Sequence, residues 1–93
     1  MAKKVKWTTR SIIDRTNIYK FWLERNQSNT YPEKFEKSAD IISNFPNIGT
    51  RTNYRSVYSK VVRDYKILYR IEPEEIQILR VWDTRQHPDS TGL

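Results

Sequence analysis

Hydrophobic and polar positions alternate with a period of two at the start of the chain, then of nearly four, then of two again. Val5 and Trp7 alternate with Lys4, Lys6 and Thr8, the pattern of a half-buried strand. Thr8 or Thr9 is placed to cap a helix running to about Arg25, in which Ile12, Tyr19, Trp22 and Leu23 recur on one face and Ile18 and Phe21 widen the stripe. The polar run Asn26-Gln27-Ser28-Asn29 breaks it. A second helix is predicted from Thr30, with Pro32 in its first turn and Glu33 in the capping-box position. Phe35, Ala39 and Ile42 line its inner face, with Ile41 and Phe45 near the edge. Pro46 then disfavours helical geometry at Phe45, Gly49 can supply the positive φ of a tight turn, and Thr50 to Tyr54 reads as a polar connection. From Arg55 to Asp83 three extended segments follow, RSVYSKVV, DYKILYRI and EIQILRVWD. Pro73 initiates the turn Glu72-Pro73-Glu74-Glu75 between the last two.

This order predicts a small α+β domain: strand, helix, helix, then three antiparallel strands, the first strand joining their sheet and the helix hairpin covering one face. Residues 1–93 form one domain, of which 86–93 are a short polar tail. In the middle segment Tyr65, Ile67, Tyr69 and Ile71 share one side, and Lys66, Leu68 and Arg70 the other. If the turn pairs Glu72 with Glu75, Arg80 falls on the apolar side opposite Ile67. A one-residue bulge at the turn instead groups Leu79 and Val81 with the tyrosines and isoleucines. It also gathers Lys66, Arg70, Arg80 and Trp82 on the open face. The bulged register is preferred, because it buries no unpaired cation.

A chain of 93 residues buries about 60–65% of its unfolded surface, enough for one core. With 37% hydrophobic and 13% aromatic residues it is too apolar for a disordered tail. It has no cysteine, no apolar run near the roughly 20 residues of a membrane helix, and no signal-peptide core behind MAKKVKW. A cytoplasmic protein with no membrane partner is expected. The net charge of +6 is uneven: seven cations face two acids from Met1 to Asn29, and six face one from Phe45 to Ile71. Such a basic face attracts nucleic acid or acidic protein surfaces.

Few reactions are open to this composition. One histidine and no cysteine leave only Asp83 and Asp89 near His87 as metal ligands, so no metal and no cofactor is expected. Gly49 and Gly92 are the only glycines, which excludes a phosphate-cradling loop, and no serine stands in a recognisable triad. Cleavage of RNA by its own 2′-hydroxyl remains possible. Cations stabilise the developing phosphorane charge and a histidine or tyrosine moves the proton. Arg63, Arg85, Lys60, Lys66 and His87 are the candidates.

The Phe45-Pro46-x-x-Gly49 turn, Arg63 before a Tyr65-x-Ile67-x-Tyr69 strand, and the ending Ile78-Leu79-Arg80-Val81-Trp82-Asp83-Thr84-Arg85 occur in one order within a short chain. In this the sequence resembles the RelE/ParE superfamily, the toxins of bacterial type II toxin–antitoxin pairs, over nearly its whole length. The resemblance implies a growth-inhibiting toxin held inactive by a cognate antitoxin that lays an extended or helical segment over it. RelE-like members cut messenger RNA on the ribosome, and ParE-like members poison DNA gyrase. Arg63 and Arg85 match functional arginines of the RNA-cutting members. The carboxy-terminal tyrosine of several of those members has no match, and His87 next to Pro88 is its nearest substitute. The Phe-Pro-x-x-Gly turn and short tail look like the ParE branch, so gyrase poisoning leads, ahead of a ribosome-dependent, metal-independent endoribonuclease and a non-toxic nucleic-acid-binding adaptor. Lys60, Lys66, Arg70, Arg80 and Trp82 are the expected target-binding residues. Each residue also has a plain reading. Arg63 can pair with Asp64 or a helix carboxylate, Arg85 with Asp83 or Asp89; His87 can be a solvated tail residue, and Tyr65, Tyr69 and Trp82 can be packing. Lys3, Lys4 and Lys6 are solvated charges able to add phosphate affinity.

Overall fold

A computed structural model describes residues 2–25 and 30–84. Strand β1 (Lys4–Trp7) leads into helix α1 (Thr9–Leu23) and helix α2 (Thr30–Asn44). A 3-10 turn over Pro46–Ile48 delivers the chain to β2 (Thr50–Arg51), β3 (Val57–Val62), β4 (Tyr65–Ile71) and β5 (Glu75–Asp83). The five strands form one sheet in the order β1-β5-β4-β3-β2. β1 runs parallel to β5 and the other pairs are antiparallel. The α+β expectation therefore stands, and the first two residues of the supposed polar connection are an edge strand.

Both helices lie on the face formed by Tyr65, Ile67 and Tyr69. Tyr31, Phe35 and Ile42 of α2 join these residues, Ile76, Ile78 and Val81 in the core, and Val5, Trp7, Ile18 and Trp22 pack around it. Aromatic rings dominate one end: Tyr31 meets Tyr65 edge-on at 4.9 Å between centroids, Phe35 meets Tyr65 at 5.8 Å, and Trp22 lies 5.2 Å from Tyr31. The Trp22 indole N–H donates to the Tyr65 hydroxyl at 2.8 Å, which satisfies a polar atom the burial would otherwise leave dry.

Helix α1 departs from its expected orientation. The side chains turned toward the sheet are Ser11, Asp14, Ile18 and Trp22, whereas Ile12 is 50%, Ile13 53% and Leu23 47% exposed, and Tyr19 and Phe21 are exposed as well. Polar anchors fix this orientation. The Thr8 hydroxyl accepts from the Ser11 N–H and donates to the Ile78 carbonyl at 2.8 Å, so the N-cap is tied to β5. Arg15 stacks over Trp7 at 4.1 Å and pairs with Glu36 of α2 at 2.6 Å. The expected inner residues Ile12, Tyr19 and Leu23 are thus on the outer side of the layer.

The register of β4 and β5 differs from both expected alternatives. The turn does pair Glu72 with Glu75, the Glu72 N–H donating to the Glu75 carbonyl at 2.9 Å. The bulge lies within the strand, where Leu68 pairs with Arg80 and Tyr69 with Ile78. Leu79 is the extra residue and has no cross-strand partner, so it does not join the tyrosines. Val81 does lie opposite Ile67, and Arg80 and Trp82 do move to the other face with Lys66 and Arg70.

Gly49 also has a different reason from the one expected. Its φ of −77° and ψ of 175° are extended, with no left-handed turn. A Cβ there would lie 2.6 Å from the Ser59 carbonyl oxygen and 2.6 Å from the Tyr69 hydroxyl, so the site needs the missing side chain. Buried Tyr69 donates to the Pro46 carbonyl at 2.6 Å and accepts from the Gly49 N–H at 3.1 Å, clamping the Phe-Pro-x-x-Gly turn to β4. Burial raises the Tyr69 hydroxyl above its ordinary pKa, an effect that the Gly49 N–H partly opposes.

Candidate functional site

Arg63 sits at the tip of the β3–β4 hairpin, where Val62 pairs with Tyr65 across a two-residue turn. Its φ is 55°, the left-handed region that a non-glycine side chain occupies at a cost of about 1–2 kcal/mol. The turn is held from outside. Thr84, at the end of β5, donates both its N–H and its hydroxyl to the Asp64 carbonyl at 2.9 Å. Tyr31 of α2 donates its hydroxyl to the Asp64 carboxylate at 3.2 Å. Burial raises the Tyr31 hydroxyl first, the bond to Asp64 and its charge raise it further, and the Arg63 guanidinium partly offsets the shift. Arg63 is exposed and forms no ion pair or hydrogen bond among the described residues. Asp64 is thus engaged with Tyr31 and Thr84 and not with Arg63.

The remaining candidates divide between the two sheet faces. Lys60 pairs with Ile67 and so lies on the helix side. Lys66, Arg70, Arg80 and Trp82 share the opposite side, as the bulge requires. Within that group Arg70 is exposed and Lys66 half-buried, but Trp82 is only 8% exposed. The Arg80 guanidinium lies 5.8 Å from the Trp82 ring centroid and is fixed on Asp14, with Nε at 2.8 Å from Oδ2 and Nη2 at 3.2 Å from Oδ1. Arg85 and His87 lie outside the described residues.

Sequence reasoning passed over Asp14. Its Oδ2 also accepts the Val81 N–H at 2.9 Å, so one carboxylate holds the arginine side chain and the free edge of β5 just beyond the bulge. β1 covers that edge only as far as Ile78. The signal was a carboxylate at an inward position, three residues after Ser11 and four before Ile18, which a search for apolar stripes discounts. Beside it an open cleft of about 300 Å³ lies between α1 and β5, lined by Asp14, Asn17, Phe21, Tyr65, Trp82 and others. Lys4 and Lys6 read from the sequence as solvated charges able to add phosphate affinity. Their pairing with Glu75 and Gln77 puts them on the same sheet face as Arg70.

Among the described residues no cluster of histidine, cysteine, aspartate or glutamate could hold a metal ion, and no helix is long and apolar enough to cross a membrane. The described cations can neutralise phosphate or carboxylate charge at several separate points.

The sequence matches the family model "ParE toxin of type II toxin-antitoxin system, parDE" over residues 5–88. No curated protein matches it. Among solved structures, the chromosomal ParDE TA system from P. aeruginosa is similar, with a TM-score of 0.67 at 17% identity over 88% of this chain and 96% of that one. At that identity the structural likeness speaks for the fold.

Proposed function

The chain belongs to the ParE toxin family of type II toxin–antitoxin systems, and from that premise we propose that it arrests growth by poisoning DNA gyrase, with a cognate antitoxin holding it in check. The observation that carries the choice of target is the dispersal of the cations. RNA cleavage needs several cations and a proton-transfer group within reach of one phosphate. Among the described candidates Arg63 is at a hairpin tip, Lys60 on the helix face and Lys66 half-buried on the opposite face, while Arg70 is at the far end of β4 and Arg80 is committed to Asp14. Tyr31, beside the Arg63 turn, and Tyr69 of β4 are poor proton donors, since burial raises both. A surface of separate contacts suits binding to a large protein target better than chemistry on one bond.

The antitoxin reading rests on α1. Ile12, Tyr19 and Leu23, with Ile13 beside them, leave an apolar strip on the outside of a small domain, the kind of strip that a partner covers. Charged and polar anchors beneath it hold the helix without help from that strip.

One observation favours the alternative of a ribosome-dependent messenger-RNA endoribonuclease. The Thr84–Asp64 bonds bring the end of β5 to the hairpin that carries Arg63, and Arg85 is the next residue in the sequence. The purified toxin is therefore to be assayed against gyrase supercoiling and, in parallel, against messenger RNA in a reconstituted translation reaction. Loss of supercoiling with intact message is the expected result, with Arg63→Ala weakening the inhibition at least tenfold while melting like the parent. Ribosome-dependent cleavage with normal supercoiling would overturn the gyrase reading.

A further inference from the structure

We propose that the sheet face turned away from the helices contacts the phosphate backbone of duplex DNA, with Lys4, Lys6 and Arg70 as its principal cations. The proposal deepens the gyrase reading, from which it takes duplex DNA as the acidic partner at hand. The surface itself is built by the sheet. Parallel pairing sets Lys4 opposite Glu75 and Lys6 opposite Gln77, and Gln77 in turn lies opposite Arg70. Paired residues share a face, so Lys6 and Arg70 stand two strand spacings apart, about 10 Å, with Lys4 about 7 Å along β1 from Lys6. All three are exposed, and none forms an ion pair among the described residues. Lys66 adds a fourth, half-buried cation farther along the same face. The carboxylate of Glu75 lies within this group and accepts from the Gln77 amide at 3.3 Å. Glu72, paired with Glu75 across the turn, is a second acid on this side, and four cations against two acids leave the face net positive.

What the face lacks selects the kind of nucleic acid. Single strands are held by aromatic side chains on which unstacked bases lie. The aromatic residue here, Trp82, is 8% exposed, and the residue two strands over from it on the same face, Val61, is aliphatic. Charge without a stacking platform suits a backbone whose bases stay paired. Phosphate contacts of this kind are independent of base sequence and are weakened by salt as counterions are regained.

The test is fluorescence anisotropy of the full chain with a labelled 20-base-pair duplex and with a single-stranded RNA of the same length. Three phosphate contacts give a slope of about −2.7 in log affinity against log salt, so duplex affinity should fall about 40-fold between 50 and 200 mM salt. Lys4→Gln/Lys6→Gln/Arg70→Gln should bind the duplex at least tenfold more weakly at 50 mM, with most of the salt slope gone. Lys20→Gln/Lys37→Gln, two exposed lysines of the helices, should bind as the parent does. Equal affinity of the sheet-face variant and the parent overturns the proposal, as does an equal loss in the helix variant or tighter binding of the single strand. The assay contains no gyrase, so duplex binding with unaffected supercoiling would sustain this surface and remove the gyrase reading, and the reverse pattern would do the opposite.

Discussion

Helices α1 and α2 have the same length and cover the same sheet face, yet opposite forces hold them. α2 buries Tyr31, Phe35, Ala39 and Ile42, each no more than 4% exposed, and would be recognised as a core helix in any small domain. α1 turns Ser11 and Asp14 inward with Ile18 and Trp22, and shows Ile12, Ile13 and Leu23 to solvent. Its attachments are the Thr8 cap on β5, the Asp14 carboxylate on Arg80 and Val81, and the Trp22 bond to Tyr65. Apolar burial is non-directional, whereas each of these bonds fixes a rotation of the helix. A helix held by polar anchors can keep its apolar side chains for another molecule.

The contrast can be broken at either helix. Phe35→Ala removes the ring packed against Tyr31 and Tyr65 and should cost about 3–5 kcal/mol, read as a large drop in the urea midpoint. Asp14→Ala should cost less, about 2–3 kcal/mol, since it strands a mostly buried Arg80 and the Val81 N–H while some solvent remains to screen them. If Asp14→Ala melts like the parent, α1 is held by something other than its polar anchors. Tyr69→Phe tests the sheet on which both helices rest, leaving the Pro46 carbonyl and the Gly49 N–H without their partner for about 1–2 kcal/mol. It also has a pH signature. Tyr69 and Tyr31 are raised above 10.0 in the folded state, so the stability they contribute is complete below pH 10 and is lost as pH rises through their folded values. The alkaline decline of Tyr69→Phe should be shallower than that of the parent.

Much of this fold could be read directly from local pattern. Alternation in Tyr65 to Ile71, the breaker before Pro46 and the spacing of Phe35, Ala39 and Ile42 each report a local preference that tertiary packing then kept. α1 was legible as a helix but not in its orientation, because apolar spacing identifies a stripe without saying whether the stripe meets the core or a partner. The bulge, preferred over the plain register and expected at the turn, lies instead at Leu79. Asp14 bonds Arg80 and Val81 just beyond it, is 66 residues from Arg80, and no short window contains both. Gly49 was recognised as a constrained glycine for the wrong reason, since close approach of Ser59 and Tyr69 depends on strands far along the chain. In the candidate site, Arg63 was located at the hairpin, but its left-handed backbone and its separation from Lys60 follow from the two-residue turn.

The most direct test of this account is the growth of cells that carry the toxin with its cognate antitoxin, comparing the parent with Ile12→Ser/Ile13→Ser/Leu23→Ser. These three side chains are about half exposed, so their replacement should change folding stability by no more than about 0.5 kcal/mol each, and toxicity in the absence of antitoxin reports that the fold is intact. Growth arrest by the variant even with antitoxin present is the predicted result, because the partner has lost its apolar seat on α1. Continued growth with antitoxin, together with full arrest without it, would contradict the claim that this strip exists for the partner.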